Sequence, residues 1–473
     1  MMLFNSIPYW LFFLGVFIAY YGTTPIYRWI VLLLSSLFFY GVHDIRGSAI
    51  LVASTAMDYV IGLMLPARRD KKILVALCVV INITMLVIFK YFAMMADVFL
   101  LLQGGGKGTV GTSIALTIAA PLGISFFTFK KVSYIFDIAA GRITPEKNFG
   151  HFFLYVIFFL EVVSGPIDRA SSLIPQLKNP SKFNAVNFQH GLFIALCGLA
   201  MKTAIADRLA TYTDVIFNDV YRYGGPTLLT TAYSYSFQIY ADFAGYTLIA
   251  IGCGRMLGIN IAQNFNLPYF SASVSEFWRR WHMTLSQWFR DYLYIPLGGN
   301  RVPLLIQYRN LLLVFLLCGL WHGANWTFVV WGCIHGIYLV FERVYDYLAK
   351  QYPPLARVSS STPSFIKIIV TFHLITFAWI FFRANNITEA LFFIQNISHG
   401  WPNFFIDTTA LGHGFVGILS LIIVEFLLFN DVLKPIEFSL LSLPLRCSIL
   451  IFLLFLVIFF GVDSDKAFIY VQF

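Results

Sequence analysis

Charge is what this sequence has least of. Asp, Glu, Lys and Arg make up 12% of its 473 residues, against about 25% in an ordinary soluble domain. A chain this long with so little charge cannot clothe a water-soluble surface. Cysteine is also sparse: six residues, at 78, 197, 253, 318, 333 and 447, scattered mainly through apolar runs. No two have disulfide or metal-ligand spacing, so they read as buried thiols. There is no P-loop, no GxSxG and no HExxH, and there is neither a soluble domain nor an internal repeat. The N-terminus MMLFNSIPYW has no basic n-region, and its apolar run has no small-residue cleavage site. The first span is therefore expected to be retained.

What remains is apolar and aromatic. The chain is 59% hydrophobic, with 50 Phe, 25 Tyr and 10 Trp, and its mean hydropathy is +0.76. This composition defines an all-α polytopic membrane protein, read as a single domain, with aromatics suited to interfacial belts. Apolar runs lie near 7–24, 28–43, 47–66, 73–98, 112–129, 151–165, 188–205, 227–258, 310–343, 364–383, 409–429 and 446–462. A hydrocarbon core of about 30 Å needs about 20 helical residues. The short runs are expected to be tilted, re-entrant or buried by neighbours, and the long ones to hold two helices. The total is roughly ten to twelve transmembrane and re-entrant helices.

The net charge of +9 does not require nucleic acid, because its basic residues collect in loops. Arg68, Arg69, Lys71 and Lys72 form the densest, which places that loop in the cytoplasm and the N-terminus outside. Lys130 and Lys131 are expected to follow a span returning inward. QGGGKGTVGTS (103–113) and KQYPPLARVSSSTPS (350–364) read as linkers.

Three stretches carry chemistry. In LLLVFLLCGLWHGANW (311–326), His322 lies twelve residues beyond Asn310. That is on the order of 18 Å along a helix, more than halfway through the core. An ionisable group at that depth marks a pathway or site, with Gly323 and Asn325 beside it for close approach and an amide partner. The bland reading is a histidine bonding across helices. SEFWRRWHMTLSQWFRDYLYIPLGGNR (275–301) mixes Glu276, Arg279, Arg280, His282, Arg290, Asp291 and Arg301 with aromatics. It cannot span lipid as a bare helix. It is either an amphipathic helix on the membrane or a polar wall delivering His282 toward His322. Glu276 and Arg280 stand at i,i+4 and are expected to pair. In QIYADFAGYTLIAIG (238–252), Asp242 is expected to be a buried structural acid paired with an arginine. Glu161 and Asp137 invite the same reading. Buried histidines without a metal set suit a base acting on a hydroxyl or thioester. They suit a proton-coupled transporter equally.

WRRWHMTLSQWFRDYLYIPLGGNR, followed about forty residues after His282 by LWHGANWTFVVWG, resembles the membrane-bound O-acyltransferases. Within them the match is to the bacterial branch that acetylates exported polysaccharides such as alginate and peptidoglycan. PLGISFFTFKKVSYIFD (121–137), GPIDR (165–169), YADFAGY (240–246) and NFNLPYFSASVSEFW (264–278) extend the resemblance over essentially the whole chain. Lys130 and Lys131 depart from it, where polar uncharged or acidic residues are more usual.

The resemblance implies helices around a central funnel, with His322 catalytic and His282 the second polar residue of the site. Acetyl-CoA would be the acyl donor, docking from the cytoplasm, with no metal. Asn325, Trp321 and Arg280 are the candidate donor-binding residues, and His282 or Asn325 would donate to the developing oxyanion. The tail at 465–473, ending FIYVQF, is similar to an aromatic peptide whose tyrosine takes the acyl group in related systems. Tyr470 would be that acceptor, its phenol a better leaving group than an alkoxide.

The implied function is an acetyltransferase of the bacterial inner membrane, with N-terminus and tail extracytoplasmic. It would pass acetyl to an extracytoplasmic partner transferase that esterifies a cell-envelope polysaccharide, peptidoglycan somewhat ahead of alginate. A transporter, or a non-catalytic scaffold of a polysaccharide synthase, are the rival classes.

Overall fold

The computed structural model describes residues 2–92, 94–95, 120–400, 404–405, 407–431, 441–462 and 468–469. The linker at 103–113, the start of the run at 112–129, and Tyr470 with the residues after it lie outside the described residues. The described chain is helical with connecting turns and loops, and no strand occurs among these residues. Eight described helices are long and apolar enough to cross a membrane: Pro25–His43, Ile45–Ala67, Lys71–Tyr91, Leu304–His322, Trp326–Gln351, Ser364–Arg383, Thr409–Phe429 and Leu443–Phe460. Their outer faces stay apolar where they are exposed, as at Leu305, Phe341, Phe365 and Ile451. Only a lipid solvent tolerates such a surface over so many helices.

The run at 310–343 holds two helices, as expected, broken at Gly323–Asn325. The run at 227–258 does not. It is one continuous helix, Gly225–Met256, and no proline interrupts it after Pro226 at its start. The cysteine expectation also needs correction. Cys78, Cys253 and Cys318 are buried, but Cys197 and Cys333 are partly exposed and Cys447 is exposed. Cys447 sits on a helix with no buried residue, where a thiol can face lipid as easily as a core.

The chain divides into two compact units: 1–195 with 246–262, and 196–245 with 263–469. In the first, Ile7–Gly22, Arg28–His43, Ile45–Met64 and Lys71–Leu86 precede Ile124–Ala139, a helix buried along almost its whole length. Asp44 helps fix its start. One carboxylate oxygen caps Ile45–Met64 through Gly47 N at 2.7 Å, and the other accepts from Leu122 N at 3.1 Å.

Lys130 and Lys131 lie in the middle of this buried helix, at 1% and 0% exposure. They are not a cytoplasmic flank. Lys130 Nζ is 2.5 Å from Glu161 and Lys131 Nζ 3.2 Å from Asp58. Glu161 is thus a buried structural acid, but its partner is a lysine. Asp137 does pair with an arginine, Arg142, at 2.9 Å.

In the second unit, Leu304–His322 and Trp326–Gln351 pack against each other along a glycine seam. A Cβ on Gly319 would stand 2.2 Å from Phe328 O, and one on Gly332 would stand 2.3 Å from Phe315 O. Backbone meets backbone there, and only hydrogen fits.

Candidate active site

The segment 274–301 is not one amphipathic helix. It forms two short helices, Val274–Arg280 and Met283–Phe289, followed by a π turn at Arg290–Tyr294. The first is started by Ser273, whose hydroxyl accepts from Glu276 N at 3.1 Å, while Glu342 accepts from Ser275 N at 3.0 Å. Carboxylate at a helix N-terminus is favourable. Glu276 pairs with Arg280 at 2.9 Å, as the i,i+4 spacing predicts. The break falls at Trp281–His282, and His282 has φ +40° and ψ +54°. This left-handed conformation costs a non-glycine residue roughly 1–3 kcal/mol. The kink turns His282 inward, to 0% exposure.

Asn264 holds His282 there. Its Oδ1 lies 3.1 Å from His282 Nδ1, and it also accepts from Thr284 N at 3.2 Å and Thr284 Oγ1 at 2.9 Å. A backbone N–H can only donate, so the atom it meets is the amide oxygen. His282 Nδ1 must then carry the proton. Burial pushes the His282 pKa from its usual 6.5 to about 3, so the ring is neutral at physiological pH. Neutral, with Nδ1 protonated, it presents a lone pair at Nε2. It can accept a proton or a hydrogen bond, and it cannot donate to an oxyanion as the sequence suggested.

His322 ends the helix Leu304–His322, buried at 3% exposure. Its ring is boxed by Trp321, Trp331 and Phe382, with centroids at 4.9, 5.0 and 5.3 Å. The Trp321 indole also meets His282, at 6.0 Å. Of the two options for the polar segment, the fold takes the wall. His282 and His322 touch the same indole.

Asn325 caps Trp326–Gln351 through Thr327 N at 3.1 Å, and its Nδ2 donates to Asn385 O at 2.8 Å. Both ends of its amide serve the helix junction. Arg280, held by Glu276, also donates to Asn266 O at 3.3 Å. Its neighbour Arg279 instead lines a cavity of about 390 Å³, with Trp278, Met283, Leu285, Arg290 and Cys318 in the wall. Met283 follows His282, and Cys318 stands one turn before His322. Arg279 and Arg290 are exposed, while Trp278, Leu285 and Cys318 are buried. No group of three metal-ligating side chains is found among the described residues.

Sequence reading missed His335. It is fully buried, and its Nδ1 accepts from Trp278 Nε1 at 3.2 Å. Its ring lies 4.8 Å from Trp331, which also packs on His322. The spacing Trp331–His335, i and i+4 on a helix, was the available signal.

Comparison with known proteins identifies the family. The model of MBOAT, the membrane-bound O-acyltransferase family, matches residues 79–384. A peptidoglycan O-acetyltransferase of Helicobacter pylori is 37% identical over 409 residues, covering 80% of this chain and 75% of its own. A probable alginate O-acetylase AlgI of Azotobacter vinelandii is 37% identical over 398 residues, covering 82% and 76%. The protein of the same description in Pseudomonas aeruginosa is 37% identical over 396 residues, covering 82% and 73%. The chain belongs to the membrane-bound O-acyltransferase family. It is an O-acyltransferase of the membrane.

Proposed function

We propose that this enzyme moves acetyl from cytosolic acetyl-CoA across the bacterial inner membrane, by way of Tyr470, to an extracytoplasmic partner transferase that esterifies a cell-envelope polysaccharide. The observation that carries the reading is the buried pair His282 and His322 on one tryptophan, beside a cavity with an arginine-bearing mouth. The family match runs from 79 to 384, through both compact units, which supports one functional membrane domain.

The cavity suits an acyl-CoA. Arg279 and Arg290 would meet phosphate. The buried wall at Trp278, Leu285 and Cys318 would take the pantetheine arm and leave the thioester near the histidines. Arg280 would hold the segment in shape beside them, Asn325 the helix junction, and Trp321 the space between the two imidazoles. His322 would act as general base. As the Tyr470 oxygen attacks the thioester carbonyl, the phenolic proton passes to His322. The C–S bond breaks, and the proton leaves with the CoA thiol. The aryl ester retains transfer potential for the second acceptor.

Relatives at equal identity are named for peptidoglycan and for alginate, so the polymer is proposed only as an exported polysaccharide. The basic loop Arg68–Lys72 would face the cytoplasm, with N-terminus and tail outside. The test is the mass of the C-terminal peptide after purified protein meets acetyl-CoA. One acetyl on Tyr470, lost in His322→Ala and in Tyr470→Phe, would uphold the relay. Acetyl-CoA turnover without that adduct would overturn it.

A further inference from the structure

Asp242 is buried, as expected, but its partner is not an arginine. Its Oδ1 lies 2.6 Å from Lys202 Nζ, and Lys202 Nζ is also 2.8 Å from Asp207. The helix before residue 201 widens at Met201–Ala206 into a π turn. In an α-helix, residues five apart point well away from each other. The i,i+5 period of a π turn brings Lys202 and Asp207 to one side. Gly245 admits the second helix. A Cβ there would stand 2.8 Å from Gly198 O and 3.1 Å from Lys202 N. Asp242 lies one turn before that glycine, in YADFAGY.

The last described residues of the chain close on this triad. Ile469 N donates to the other oxygen of Asp242, Oδ2, at 2.7 Å. The Phe468 ring lies under Lys202 Nζ, 4.4 Å from its centroid. Phe468 and Ile469 are 2% and 8% exposed. The same turn and the helix after it hold the approach to the tail: Val462 N donates to Thr203 O at 3.1 Å, and Arg208 Nη2 donates to Phe460 O at 2.9 Å.

We propose that the Asp207–Lys202–Asp242 triad is a seat for the C-terminal tail that fixes the register in which Tyr470 is presented. The inference rests on the reading of Tyr470 as acyl acceptor. Replacing a buried ion triad with apolar residues often costs nothing, so a triad kept inside a membrane protein calls for a job other than stability. This one grips the tail in two ways. The carboxylate takes a backbone amide, which any residue offers. The ammonium takes an aromatic face, which among 467–469 Phe468 alone offers. A slip of one residue either way would put Ala467 or Ile469 under the ammonium. Phe468 therefore sets the count, and Tyr470 follows two residues later. Lys202 and Asp242 are positioning residues.

Full-length protein in detergent tests this by hydrogen–deuterium exchange at the C-terminal peptide, together with the rate of Tyr470 acetylation from acetyl-CoA. Phe468→Leu and Ile469→Pro act from the tail and leave the helices untouched. Lys202→Met and Asp242→Asn act from the interior. Exchange at the tail should quicken on the order of ten- to a hundredfold, as for loss of a charge-assisted bond. kcat for Tyr470 acetylation should fall with the KM for acetyl-CoA unchanged, and Phe468→Trp should restore it. Unchanged exchange and unchanged kcat in both tail variants would overturn the seat, even with Tyr470 acetylated. Faster exchange together with full transfer activity in Tyr470→Phe would uphold the seat's grip on the tail and overturn the relay.

Discussion

His282 Nδ1–H donates to Asn264 Oδ1 across 3.1 Å, and Asn264 is committed to that polarity by Thr284. One amide thus decides which nitrogen of a buried imidazole keeps its lone pair. Replacing Asn264 with leucine should release the tautomer and leave Nδ1 of a buried ring without its acceptor. We expect kcat to fall about ten- to a hundredfold, as for the loss of a histidine's orienting partner, with acetyl-CoA affinity retained. Steady-state kinetics checks this.

His282 also makes stability depend on pH. Its folded pKa, about 3, lies below its ordinary 6.5. Between those values the unfolded chain binds the extra proton. Stability should therefore be full above about pH 6.5 and decline as pH falls, by up to about 1.4 kcal/mol per pH unit from this group. Denaturation midpoints at pH 7 and pH 5 should differ less in His282→Gln than in the parent.

His322→Ala should lower kcat by about 10²–10⁴, the range of a general base, without changing how the protein elutes on gel filtration. Retained turnover would remove His322 from the chemistry.

The glycine seam should be intolerant. Gly319→Ala would set a methyl against Phe328 O and Gly332→Ala one against Phe315 O, each costing about 1–3 kcal/mol by overpacking. Because the seam aligns the end of Leu304–His322, thermal melting and activity should fall together.

The lysine pairs inside Ile124–Ala139 should behave as buried ions. Lys130→Met alone leaves Glu161 uncompensated and should cost about 3–5 kcal/mol. Lys130→Met with Glu161→Gln should recover most of it, which a double-mutant cycle of unfolding measures.

Much of this protein was legible in its sequence, for a local reason. Membrane residence follows from composition, and spans follow from run length against a core of about 30 Å. The Glu276–Arg280 pair follows from helical spacing, and the two helices of the run at 310–343 follow from its length. What the tertiary structure alone decided is who meets whom across distant segments. Lys202 and not an arginine pairs with Asp242, from forty positions away, and Ile469 joins them from 227. Lys130 and Lys131, which look like a cytoplasmic flank, are interior ions because Glu161 and Asp58 arrive opposite them. The tautomer of His282, the service of Arg280 to the fold while Arg279 lines the cavity, and the burial of His335 depend equally on packing. Hydrophobic periodicity is written along the chain. The partner of a buried polar group is fixed only when the helices close on one another.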